Sequence, residues 1–303
     1  ARPHAMSSTP WVIVTGGGSG IGRALVHHFS RTNRVLTCGR RAAPLHDTRS
    51  TAPLPDAVTV CACDIGSPAG RSALVSALPP DAPIALLVHN AAIGDPAPFR
   101  ELDVAHFEDA LRVNVVAPLA LSQAFLPGLE RGCGRILHLG TSVAFNPQVG
   151  TATYGVTKLA FHRLYQQLNA EGIVVPVGSL SPGMVDTEGV RDHVSKARAL
   201  ALPHVRFFDE AFEKGWATPV PELLQFVDEL LAMEASEFSK QEWRFSEWRR
   251  ERAKAAQYAA ARGTAAAPSG LANSSTTSQW LKAGAAAAAV VGAALCVVGL
   301  RVR

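Results

Sequence analysis

The sequence predicts a doubly wound α/β fold, a parallel sheet of about seven strands with helices on both faces and a tail beyond them. Two observations carry this expectation. Short β-branched runs alternate with longer stretches of helical pattern, which is the signature of βαβ units. The first of these runs leads directly into a glycine-rich turn that opens a helix. With 303 residues, 48% hydrophobic and 18% charged, the chain has enough apolar material for one large buried core.

Taken in order, Trp11–Thr15 reads as the first strand and Gly20 to Ser30 as the helix after the turn. Val35–Gly39, Val58–Cys63 and Ile84–His89 follow as strands, separated by Pro-rich loops at Pro53–Pro55 and Pro79–Pro83. A long helix is predicted over Val104 to Leu126. Arg135–Leu139 is a fifth strand, Tyr154–Glu171 a helix and Ile173–Leu180 a sixth strand. From Met184 to Thr218 the pattern loosens. A helix resumes at Pro221–Met233, with proline in the first turn, where its missing N–H costs nothing. Glu242–Ser246 reads as an edge strand. No internal repeat is present.

The domain reading is an N-terminal extension over 1–10, a nucleotide-binding domain over 11–246, a charged helix over 247–262 and a flexible linker over 263–279. Met6 is a candidate start. The last part, 280–303, contains the uncharged run Ala283 to Leu300, flanked by Lys282, Arg301 and Arg303. Eighteen helical residues reach about 27 Å, close to the roughly 30 Å hydrocarbon thickness of a bilayer. Its Ala, Gly and Val content leaves two readings, a C-terminal membrane anchor or a low-complexity tail on a soluble protein. The anchor reading places a cytoplasmic catalytic domain on an intracellular membrane. The basic residues Arg249, Arg250, Arg252, Lys254 and Arg262 before it are a solvated helix or a face lying on anionic lipid.

A net charge of +4, with basic residues scattered, excludes a nucleic-acid stripe. Cys38, Cys61, Cys63, Cys133 and Cys296 form no disulfide ladder and read as reduced thiols. His27, His28, His46, His106, His138, His162, His193 and His204 show no metal-ligand spacing, so no metal is expected.

The turn itself is Thr15-Gly16-Gly17-Gly18-Ser19-Gly20-Ile21-Gly22. Glycines let the backbone approach a phosphate without Cβ interference, and the helix N-terminus offers N–H groups and a positive dipole end, the arrangement of a Rossmann-type sheet. The alternative is a plain structural turn. The second strand ends Cys38-Gly39-Arg40-Arg41, where an acid would bond the ribose 2′-hydroxyl of NAD. Two arginines stand there instead. Guanidinium pairs with a 2′-phosphate and stacks on adenine, so NADP(H) is the predicted cofactor.

Tyr154-Gly155-Val156-Thr157-Lys158 places a phenol and an ammonium on one helical face. An ammonium nearby stabilises a phenolate and draws its pKa down from about 10. Thr141-Ser142 follows a strand, at the carboxyl end of the sheet, where ligands bind in open α/β folds. Ser142 there can donate to a carbonyl oxygen as charge develops.

With these pieces in place the chain resembles the short-chain dehydrogenase/reductase family. The matching residues are Thr15-Gly16…Gly20-Ile21-Gly22, Asp64-Ile65, Asn90-Ala91-Ala92, Asn114, Ser142, Tyr154…Lys158 and Pro182-Gly183-Met184-Val185-Asp186-Thr187, in the family's order over about Trp11 to Ser246. The resemblance implies that Tyr154 is the general acid in reduction. Lys158 would bond the nicotinamide ribose, Ser142 would orient the substrate oxygen, and Asn114 would hold a water in a proton relay. It also implies cofactor contacts from Gly16, Ser19, Gly20, Ile21 and Gly22, from Asp64 and Ile65 at the adenine, and from Asn90 and Ala91 at the adjoining ribose. Pro182, Gly183, Val185 and Thr187 would approach the nicotinamide end. Structural readings stand beside two of these, a helix-bulge residue for Asn114 and a strand cap for Asp64. The family also implies a small-molecule carbonyl substrate and an oligomer of identical chains.

Two departures are visible. His89-Asn90-Ala91-Ala92 replaces the usual Asn-Asn-Ala-Gly, and Ser142 precedes Tyr154 by twelve residues instead of thirteen, which makes Thr141 a backup for Ser142. Within the family, Ser179–Thr187 and Trp243-Arg244-Phe245 are similar to the sepiapterin-reductase-like and benzil-reductase-like group, which acts on dicarbonyls or pterin side chains. Phe145, Met184, Phe207, Phe208, Phe212 and Trp216 either line the site mouth under a lid or glue that lid to the domain. The reading is an NADP(H)-dependent carbonyl reductase. The alternatives are a membrane-tethered reductase of lipid or retinoid ketones and a non-catalytic NADP sensor.

Overall fold

The computed structural model describes residues 9–263. Seven parallel strands form one sheet in the order β3-β2-β1-β4-β5-β6-β7. They are β1 (Trp11–Thr15), β2 (Arg34–Gly39), β3 (Val58–Ala62), β4 (Ile84–His89), β5 (Arg135–Leu139), β6 (Val177–Ser181) and β7 (Glu242–Arg244). Every residue of β1 is buried, which is why its sequence is a continuous apolar run and not an alternation. The strand order reverses between β1 and β4, and that reversal opens a crevice at the carboxyl edge.

The helices are α1 (Gly20–Phe29), α2 (Ala42–Ser50), α3 (Pro68–Ser76), α4 (Val104–Leu111), α5 (Ala117–Arg131), α6 (Ala152–Ala170), α7 (Glu188–Ala199), α8 (Val205–Glu213), α9 (Val220–Leu231), α10 (Ala235–Phe238) and α11 (Phe245–Gly263). One core packs Leu25, Val26 and Phe29 of α1, Phe226 and Leu230 of α9 and Trp248 of α11 on one sheet face. The other core packs Leu74 of α3, Leu121, Phe125 and Leu129 of α5 and Tyr165 of α6 on the opposite face.

Several boundaries differ from the sequence expectation. The sixth strand begins at Val177 and not Ile173. Gly172 adopts φ +66°, Val174 is exposed, and Pro176 has no N–H to give a ladder. The seventh strand ends at Arg244, and the expected strand residues Phe245 and Ser246 already belong to α11. Phe245 and Trp248, three apart, both bury against Phe226, so helical spacing wins there. The predicted helix over Val104–Leu126 is interrupted by a π turn at Arg112–Val116 and extends to Arg131. Helix α2 and helix α3 were not expected. The cue for α3 is Ser67, whose side chain accepts from Gly70 N, followed by Pro68 in the first turn. The loose segment over Met184–Thr218 holds α7 and α8. Residues 1–8 and 264–303, with most of the N-terminal extension, the linker and the anchor candidate, lie outside the described residues.

Candidate active site

The glycine turn is held from below by the strand ends. Gly16 N and Gly17 N both donate to Cys38 O. The Thr15 hydroxyl accepts from Asn90 N at 3.0 Å and Ala91 N at 3.1 Å, and Asn90 Nδ2 donates to Thr15 O and Gly16 O. Asn90 therefore locks β4 to the turn, which the sequence did not foretell. Gly16 and Gly20 take φ of +73° and +52°, and a Cβ at Gly22 would lie 2.2 Å from Gly16 O. Ser19 stands at the N-cap of α1 in extended conformation with no side-chain cap bond, which leaves its hydroxyl and the first N–H groups of α1 uncommitted to a cap. Such a cradle, which any side chain would fill, fits a pyrophosphate. Arg23, which sequence reasoning passed over, donates to Gly18 O and to Thr48 Oγ1 and pairs with Asp47 at 3.0 Å, bracing the loop from α2.

Arg40 and Arg41 stand exposed where β2 ends, and neither side chain makes a hydrogen bond or ion pair among the described residues. Asp64 is exposed and accepts from Gly66 N at 2.9 Å, closing the turn after β3, while Ile65 is buried in the core with its carbonyl held by Arg71. The cap reading of Asp64 is thus visible in its contacts, and Ile65 faces the core more than the crevice.

Tyr154, Thr157, Lys158 and Phe161 share the inward face of α6. Lys158 is buried, and Nζ donates to Leu139 O at 2.5 Å, with the Phe161 ring at 4.4 Å and the Tyr154 ring centroid at 6.0 Å. Burial pushes the Lys158 ammonium down to about 8, opposed by the charge of Glu242. Burial also pushes the Tyr154 phenol up to about 12, against the downward direction expected from its lysine neighbour. Desolvation sets the upward direction, and the ammonium lies 6.0 Å from the ring centroid. The raised value keeps the phenol protonated at neutral pH, the form that has a proton to give.

The loops around this pair close tightly. A Cβ on Gly94 would come within 2.9 Å of Tyr154 Cβ, so the segment after β4 lies flat on the tyrosine. Ser142 opens a short 3-10 turn over Ser142–Ala144, and its hydroxyl has no hydrogen-bond partner among the described residues. The Thr141 hydroxyl accepts from Val143 N at 3.3 Å, so the backup candidate is occupied as the cap of that turn. Asn114 sits buried in the π turn. Its side chain accepts from Ile93 N, donates to Ile93 O and donates to Thr157 Oγ1, so both amide hydrogens and the amide oxygen are bonded within the protein. The bulge thereby ties β4, α6 and the helix pair together.

After β6, Pro182 and Gly183 are fixed by Thr218, whose hydroxyl donates to Pro182 O, while Thr218 N donates to Met184 O. Val185 is buried in the core. The Thr187 side chain caps α7, accepting from Val190 N, and lies 3.0 Å from where a Gly20 Cβ would stand, bringing this segment onto the glycine turn. Of the lid aromatics, Phe208 and Phe212 pack on Val194, Ala197, Leu202 and Val205 as glue within the lid. Phe207 and Trp216 are exposed, and Phe145 turns towards His162 at a ring distance of 4.7 Å.

A crevice for a dinucleotide at the sheet's switch point, next to a half-buried tyrosine and a buried ammonium, defines an oxidoreductase class of site. The short chain dehydrogenase family model matches residues 10–198, and the chain belongs to that family. It is 30% identical over 180 residues to an uncharacterized oxidoreductase of Staphylococcus epidermidis, covering 58% of this chain and 77% of that one. It is 28% identical over 181 residues to the NADP-dependent 3-hydroxy acid dehydrogenase YdfG of Escherichia coli, covering 57% and 72%. A solved closed form of serine dehydrogenase complexed with NADP+ is 26% identical with a TM-score of 0.57, covering 63% of this chain and 79% of that chain.

Proposed function

We propose that this protein is an NADP(H)-dependent carbonyl reductase that moves a hydride between the nicotinamide and a carbonyl or alcohol carbon. The observation that carries the reading is Tyr154 on the inward face of α6, one helical turn from the buried Lys158, with Gly94 lying against it and the Ser142–Ala144 turn packed on the same helix. The glycine turn with Ser19 would hold the pyrophosphate, and Arg40 and Arg41 the 2′-phosphate. Their free guanidinium groups fit that dianion. When bound, NADPH supplies the hydride.

This chain's own residues supply the rest. Ser142 donates its free hydroxyl to the substrate oxygen. Tyr154 protonates that oxygen as charge develops on it. Lys158 keeps a positive charge beside the phenolate left behind, and Asn114 fixes the backbone that positions both. The likeness of Ser179–Thr187 and Trp243-Arg244-Phe245 to reductases of dicarbonyls and pterin side chains makes an α-diketone or pterin ketone the favoured substrate class.

NADPH oxidation with a panel of α-diketones, pterins and lipid ketones tests the reading. Tyr154→Phe is expected to cut kcat by roughly 10²–10⁴-fold, the usual worth of a positioned proton donor. NADPH affinity, read by fluorescence titration, should stay unchanged. A variant that still turns over at the wild-type rate removes Tyr154 from the chemistry, and tight NADPH binding without turnover on the whole panel turns the protein into a sensor.

A further inference from the structure

We propose that Glu242 is a positioning residue for the Tyr154–Lys158 pair, its carboxylate set under α6 so that Lys158 keeps its proton. This rests on the reductase reading for its consequence in turnover, though not for its effect on the lysine.

The sheet carries a polar row where a parallel core is ordinarily apolar. His89 is opposite His138, His138 opposite Ser179, and Ser179 opposite Glu242, so four adjacent strands present one polar residue each at the same level. The row faces α6, because the His138 ring stacks on Phe161 at 4.2 Å and 15°. At its far end Glu242 is not a surface acid. Its side chain is only 5% exposed, Oε2 accepts from Ser179 Oγ at 3.1 Å, and Oε1 has no hydrogen-bond partner. Oε2 also lies 2.2 Å from where a Gly140 Cβ would stand. Gly140 directly follows Leu139, whose carbonyl receives Lys158 Nζ, and precedes Thr141-Ser142. The carboxylate therefore rests on the peptide that joins the lysine's acceptor to the serine turn.

Other charges around Glu242 are weaker claimants. His162 of α6 has Nδ1 at 3.4 Å from Oε2, beyond a good hydrogen bond, and is 10% exposed. Tyr165 of α6 spends its hydroxyl on Ser239 O. Arg244, on the same strand, is paired with Glu247 of α11 at 3.8 Å. His138 is buried with neither ring nitrogen bonded, and burial with the neighbouring His89 and Lys158 charges holds it neutral. Apart from the His162 contact, which carries charge only when that ring is protonated, the buried carboxylate has no cation at bonding distance among the described residues, and it stabilises a positive charge within the same low-dielectric region, where Lys158 is the lysine. Burial drives Lys158 down to about 8 even with the Glu242 charge opposing it. Without that carboxylate the lysine would lose its proton at a lower pH.

The test follows Lys158 itself in the full-length protein. The ε-carbon of carbon-13-labelled lysine is titrated by NMR, its signal assigned by loss in Lys158→Arg. Wild type is expected to titrate near 8. Glu242→Gln, which keeps the shape and removes the charge, should titrate about one pH unit lower. Glu242→Asp, which keeps the charge and withdraws it, should show a smaller shift in the same direction, and it carries the comparison if the glutamine variant does not fold. In turnover, the alkaline limb of kcat/KM for ketone reduction should move down by the same interval, with NADPH affinity unchanged. An unaltered lysine midpoint in the folded variant overturns the proposal. Absence of turnover in the wild type defeats the reductase reading alone, because the lysine titration still decides this one.

Discussion

Arg40 and Arg41 show how far single residues can be read. Their side chains are exposed and unpaired among the described residues, so their removal should disturb nothing in the fold. A charge-assisted hydrogen bond to phosphate contributes about 1.5–3 kcal/mol, or roughly 10–100-fold in affinity. Arg40→Ala with Arg41→Ala should weaken NADPH binding by about that factor while leaving NADH binding near its wild-type level. Equal losses for both nucleotides would place the 2′-phosphate elsewhere. These arginines, like Tyr154 and Lys158, were legible because local spacing fixes what they can face. Asn114 was legible through the family likeness and as a helix-bulge residue, whereas Glu242 was legible only as the start of an edge strand. Glu242 acquires its meaning from residues on three other strands, and Asn114 from Ile93 and Thr157, none of them near it in sequence.

At the scale of elements, the glycine turn was the clearest signal and remains the most exacting piece of backbone. Gly22 is buried in the first turn of α1 with Gly16 O 2.2 Å and Asn90 Nδ2 2.6 Å from a would-be Cβ. The nearest atom is backbone, so Gly22→Ala must push α1 away from the turn or open the Asn90 latch. Overpacking of that kind costs about 1–3 kcal/mol. A lower melting temperature and a loss of NADPH affinity are expected together, and an alanine variant that binds NADPH like wild type would show that the cradle tolerates a side chain. Other elements were harder to see. The break at Arg112–Val116 falls where Pro118 has no N–H to give Asn114 O, and the tertiary bonds of Asn114 hold it there. The helical character of Phe245 depends on Phe226 and Trp248 around it, which no local pattern of alternating residues reveals. Further along α11, Glu229 of α9 accepts from Trp248 Nε1 at 2.7 Å and from Arg252 at 2.5 Å, so the charged helix is docked by its own buried acid partner and not merely solvated.

Across the whole molecule, the polar row couples stability to pH. His89 and His138 sit in the middle of the sheet, where burial and the Lys158 charge hold His89 down to about 3 and keep His138 well below its ordinary value of 6.5. Both are therefore neutral in the folded state at pH values where the unfolded chain binds protons on them. The unfolded state takes up more protons below about 6.5, so unfolding free energy falls with pH from there towards 3 and is fully present above 6.5. Each such histidine should remove about 2 kcal/mol between pH 7 and pH 5, a window above the ordinary carboxylate range. Urea unfolding across that interval reads the sum. His138→Phe, which stacks on Phe161 without a titrating group, should flatten the dependence by about half. The Ser122 hydroxyl, 3.0 Å from His89 Nε2, leaves the remaining slope to His89. Stability that stays level from pH 7 to pH 5 would mean that water or a relaxed backbone reaches the row on protonation, and that the centre of the sheet is less dry than its packing shows.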